Sequence, residues 1–148
     1  MNDLAMDLNR VARQHAWKYF EIHAAQRMSI FNFFLVLSGL VLAGIAGCIS
    51  QGAKLKSEQI FLGMGLMAVS LIFWKLEQRT ALLVKHAEKA LVELERDIPA
   101  CARLFSTEPS ATERARREHA VWTYGLSFRL VFWTTGLSGV SAVLLAVH

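Results

Sequence analysis

Leu4, Leu8, Val11, His15, Tyr19 and Ile22 recur at spacings of three and four, with Asp3, Asp7, Arg10, Arg13 and Glu21 largely off that stripe. Such spacing gathers positions on one face of a helix with 3.6 residues per turn, so residues 1–28 are predicted to be amphipathic and helical. The pattern then changes. After Arg27 no charge occurs until Lys54, and neither Pro nor Gly separates this stretch from the amphipathic one. At about 1.5 Å of rise per residue the uncharged run exceeds the roughly 30 Å hydrocarbon core of a bilayer. Residues 29–50 are therefore read as a first membrane span. Trp17, Tyr19 and Phe20 stand just before it, where amphipathic rings favour the head-group layer. The first 28 residues are thus a juxtamembrane anchor or, as the alternative, a partner-binding helix.

Residues 51–59 form a short polar turn, and residues 60–74 give a second apolar run. That run is short for a span, but Trp74 and Lys75 can sit at the interface and lengthen it. The two runs make a helical hairpin. No breaker follows Trp74, so the helix is predicted to continue to Ile98, where Pro99 stops it. Leu76, Thr80, Leu83, Ala87, Ala90 and Leu94 give this extension a coiled-coil-like seam, widened by Leu82, Val84, Leu91 and Val92. The seam could pack against the chain's own helices or against another copy. Residues 99–109, bounded by two prolines, are the linker. Ser110 and Glu113 form a capping box for a basic helix at residues 110–119 with Arg114, Arg116 and Arg117. Residues 120–147 are the third span, interrupted only by Arg129, whose long stem suits snorkelling to the interface. The expected fold is all-α: one integral membrane domain with a two-span hairpin, a cytoplasmic helical extension at residues 75–98, and a third C-terminal span.

Composition agrees. The 148 residues are 54% hydrophobic, against about 45–50% apolar in soluble domains. Sixteen Lys and Arg against twelve Asp and Glu leave a net charge of +4. The basic residues cluster beside the apolar runs, which favours anionic lipid head groups over nucleic acid as the partner. Four Lys or Arg precede the first span, two lie in the hairpin turn, nine lie from Lys75 to Arg117, and none follows Arg129. By the positive-inside rule the N-terminus and the middle segment are cytoplasmic, with the hairpin turn and His148 outside.

Candidate chemistry is sparse. Gly39, Ala43 and Gly47 fall at i, i+4 and i+8 in the first span, and Ser138, Ala142 and Ala146 repeat that spacing in the third. In lipid such small-residue faces let helix backbones approach closely. The Gly39 face is the expected oligomer interface, with His23, Gln26, Arg27 and Asn32 just before it at the cytoplasmic boundary. Residues 45–48 match a lipobox ending at Cys48, but the long N-terminal approach and the later spans do not fit a secretory signal. A disulfide between Cys48 and Cys101 is not expected, nor is a metal or cofactor. Arg114 and His119 form an R-x4-H pair resembling the RNase signature of HEPN domains, where Arg faces the phosphate and His transfers a proton. Arg10 with His15 meets the same spacing and Arg79 with His86 a looser one, so the signal is weak. Acidic residues are absent from the spans, which argues against a proton- or cation-coupled transporter.

Within residues 19–34, Tyr19, His23, Ala24, Gln26, Arg27, Phe31, Asn32 and Phe34 resemble a signature of small bacterial anti-phage defence membrane proteins. These include the membrane accessory proteins of RNA-targeting CRISPR loci and, more distantly, the SLATT-type effectors. The resemblance implies a homo-oligomer in the bacterial inner membrane that disturbs membrane integrity during defence. This chain departs from that family in its third span and in having almost no separate sensor domain, so the expected trigger is a defence-system partner protein. In that family Arg114 and His119 would be the counterparts of a HEPN-like element. The sequence reading is thus an oligomeric, non-enzymatic membrane effector that permeabilises the bilayer. Its alternatives are a membrane-anchored HEPN-like RNase and a structural subunit of a membrane complex without a pore.

Overall fold

The computed structural model describes residues 2–96, 99, 101, 103–107, 113 and 124–147. These residues are all-α. Helix α1 (Asn2–Ser50), helix α2 (Lys56–Leu94) and helix α3 (Tyr124–Val147) are each long and apolar enough to cross a membrane. Helix α1 runs unbroken because its first 37 or so residues lack the Gly and Pro that interrupt helices, and because lipid leaves a spanning backbone no hydrogen-bond partner but itself. A single 3₁₀ turn, Gly52–Leu55, joins α1 to α2, with Gly52 at φ +64, a conformation that costs a residue without Cβ nothing.

The chain divides into two compact units, Met1–Arg27 with Arg79–Thr123, and Met28–Gln78 with Tyr124–His148. Helices α1 and α2 contribute to both.

In the second unit the α1–α2 hairpin packs with α3. Phe34, Phe128 and Phe132 form one buried cluster, with Phe31, Val69, Phe73, Trp74 and Val131 around it. Phe31 stacks on Phe128 with ring centroids 4.1 Å apart, and Phe34 meets Phe132 edge-on at 4.6 Å; such pairs each add about 0.5–1.5 kcal/mol beyond burial. Ile45, Leu66 and Ala142 form a second cluster. Buried Gln59 donates from Nε2 to the Ala142 carbonyl at 2.8 Å, tying the start of α2 to α3. Outside this core much of the surface is apolar: Phe33 is 71% exposed and Phe61 77%. Such a surface is costly in water and suits acyl chains.

In the first unit the buried seam of α2 is Thr80, Val84, Ala87 and Leu91. It keeps the heptad spacing expected from sequence but is turned by about one residue, since Ala90 is exposed and Leu91 takes the inward place. Leu91 offers more apolar area than Ala90, which decides the rotation. Trp17, Phe20 and Phe105 form a ring cluster with centroids 5.3–6.0 Å apart. Helix α2 ends at Leu94, short of Ile98. Pro99 cannot donate to the Glu95 carbonyl, and its ring crowds that carbonyl. Glu95 instead bends back, and its carboxylate accepts from the Phe105 and Ser106 amides at 3.0 and 2.9 Å and from the Ser106 hydroxyl. Desolvation works to raise its pKa, but these donors and the Leu104 amide outweigh it and hold the carboxyl below its ordinary value. Arg13 donates to the Leu94 carbonyl at 3.4 Å, closing the C-terminus of α2.

Candidate subunit interface

Small residues do two different jobs in the second unit. Where α2 crosses α3, a Cβ added at Gly139 would lie 2.7 Å from the Gly63 carbonyl oxygen and 3.0 Å from Met67 Cγ. One added at Gly63 would lie 2.8 Å from Val143 Cγ2 and 2.9 Å from the Gly139 carbonyl oxygen. Both positions therefore require glycine. Ala142 and Ala146 are buried beside this crossing, whereas Ser138 is exposed. The Ala142 and Ala146 part of the small face of α3 is consumed within the protomer.

The α1 face is not. A Cβ at Gly39 or Gly47 would meet nothing within 4 Å, and Ala43 between them is exposed. Asn32 is also exposed, and lies seven residues before Gly39, hence close to the same helix face. The remaining sequence candidates belong to the first unit. His23 Nδ1 lies 3.2 Å from Gln26 Oε1, with the ring nitrogen as donor, and Tyr19 packs edge-on against the imidazole at 4.3 Å. Arg27 ends that unit. The structure thus groups Asn32, Gly39, Ala43 and Gly47 in one unit and His23, Gln26 and Arg27 in the other.

Arg114 and His119 lie outside the described residues. Of the other pairs with this spacing, Arg79 and His86 are both exposed, and so are Arg10 and His15. Among the described residues no three His, Cys, Asp or Glu side chains converge as metal ligands would. Cys48 and Cys101 are free, the first buried in α1 and the second exposed. Arg129 is exposed near the start of α3.

A groove of roughly 160 Å³ between α2 and α3 was not anticipated from sequence. Its walls are almost wholly apolar and include Met67, Leu71, Trp133, Gly136 and Leu137. Ser70 and Trp74 also line it, but their polar atoms are turned away from its surface. Ser70 Oγ and Trp74 Nε1 are buried and have no hydrogen-bond partner among the described residues. Ser70 in the run of residues 60–74 was the available signal, but a lone serine in a span ordinarily bonds its own helix.

Residues 12–147 match the octameric membrane protein family, 8xMP. The chain belongs to that family. The match takes in all of α2 and α3 and most of α1, so the 8xMP identity covers every candidate span. This 8xMP chain is also 39% identical over 130 residues to CD-NTase-associated protein 19 of Escherichia coli, a stretch that is 87% of this chain and 86% of that protein. No solved structure matches it. As an 8xMP member the chain is a multi-pass membrane protein and a homo-oligomer.

Proposed function

We propose that the chain is a subunit of an octameric bacterial inner-membrane effector of anti-phage defence, with its N-terminus cytoplasmic, and that the assembly permeabilises the bilayer once triggered. The carrying observation is the 8xMP match across residues 12–147. The 39% identity to a CD-NTase-associated protein supports the defence role, and a CD-NTase is the proposed defence-system partner. Gly39, Ala43 and Gly47, with Asn32 on the same face, are the proposed contact between subunits; His23, Gln26 and Arg27 flank it on the cytoplasmic side.

Induced expression, read with a dye that reports membrane potential, tests this reading. Depolarisation with intact cellular RNA is expected. Gly39→Leu with Gly47→Leu removes close backbone approach while keeping the span hydrophobic. That variant should insert, run smaller than the parent in detergent, and no longer depolarise. Degraded RNA with the potential preserved would instead favour the HEPN-like reading of Arg114 and His119.

A further inference from the structure

An eight-subunit membrane assembly places a geometric demand on its members. Copies inserted with one topology are related by rotation about the membrane normal. Under that constraint two identical faces can meet only across a two-fold axis, which closes at a dimer. A ring of eight needs two different faces on each subunit, one fitting the other. The α1 face alone cannot build it.

The second unit carries a complement. The α2–α3 groove is concave and apolar, and beneath its walls Ser70 Oγ and Trp74 Nε1 are sealed from the surface without a partner among the described residues. Ser70 is only 4% exposed, and it departs from its neighbours. Ser38, Ser138 and Ser141 each return their hydroxyl to the carbonyl four residues back, and Thr134 to the one three back. The burial of Ser70 Oγ and Trp74 Nε1 leaves the groove with an almost wholly apolar surface, which suits another apolar helix face.

We propose that the Asn32–Gly39–Ala43 face of α1 seats in the α2–α3 groove of the neighbouring subunit, making the octamer a head-to-tail ring. This rests on the oligomeric reading above. Subunits of such a ring keep their depth in the bilayer, so residues of equal depth meet. Phe34 packs on Phe73 and Phe132, with ring centroids 5.5 and 4.6 Å away, and Trp74 lies 6.1 Å from Trp133. Asn32, about half a turn from Phe34, is therefore level with the Trp74 indole. Gly39, over a turn farther along, is level with Ser70 and Gly136, which face each other. Asn32 then lies against the wall of the groove that carries Trp74. Gly39, with no side chain, lets the α1 backbone settle against the Gly136 and Leu137 wall of the groove.

Oxidative cross-linking in membranes tests the pairing. In a parent carrying Cys48→Ala and Cys101→Ser, the pair Gly39→Cys with Leu137→Cys puts one thiol on each proposed face. Expected on a non-reducing gel is a ladder of covalent oligomers rising to the octamer, with each single variant remaining a monomer. A dimer from Gly39→Cys alone would show like faces meeting and overturn the proposal. So would a double variant that fails to cross-link while still eluting in detergent as an assembly, which would leave the oligomer itself standing. A parent that elutes as a monomer would overturn both.

Discussion

Gly139 and Gly39 are the same residue in helices of similar composition, and they have opposite surroundings. At Gly139 a single methyl group would collide with the Gly63 backbone. Gly139→Ala should therefore cost the folded protomer about 1–3 kcal/mol, the usual penalty for overpacking. Gly39→Ala meets open space and replaces a poor helix former by the best one. It should leave the protomer's stability unchanged or slightly raised. Thermal unfolding of the two variants in detergent distinguishes them, and equal loss in both would refute the assignment. Sequence could not make this distinction. A small residue advertises room for a neighbour without saying whether the neighbour is α2 of the same chain or another subunit. The same ambiguity hid Gly63 and Gly139, which have no companion at i+4 to mark them, and Ser70 with Trp74, whose burial is a property of three helices together.

At the scale of elements, the spans were legible because a bilayer imposes a length rule that few other structures satisfy. An uncharged run from Arg27 to Lys54 has hardly another use. The extension of α2 was legible in period but not in phase: Leu83 and Val84, or Ala90 and Leu91, are adjacent, and a one-residue rotation exchanges which of them is buried. Its end was misplaced because Pro99 acts four residues upstream, on the Glu95 carbonyl, and not merely on its own neighbour. The Glu95 carboxylate that replaces the last turn gives a testable pH dependence. Its carboxyl is held below the ordinary value in the folded protein, so its contribution is fully present above the unfolded pKa and is lost as pH falls through the folded one. Amide exchange at Phe105 and Ser106, corrected for intrinsic rate, should stay slow from neutral pH down past the ordinary carboxyl range and accelerate below it. Glu95→Ala should exchange fast at every pH. Slow exchange in that variant would mean that the carboxylate does not hold the segment.

For the whole molecule, membrane residence and oligomerisation could be read from the sequence, but not the number of subunits, which depends on the angle between two faces and leaves no mark on composition. Orientation is written in charge alone. With nine Lys or Arg between Lys75 and Arg117 and none after Arg129, a fluorescent protein that matures only in cytoplasm should glow when fused before Met1 and stay dark when fused after His148. Fluorescence at both ends would mean that α3 does not carry the chain across.

The brevity of the Gly52–Leu55 turn bears on how the protein is made. So short a connection leaves no slack for one span to enter the bilayer while the other waits outside. Such a connection suits entry of α1 and α2 into the bilayer together, as one hydrophobic hairpin. In that order α3 would dock last, on the notch at Gly63 and the amide of Gln59.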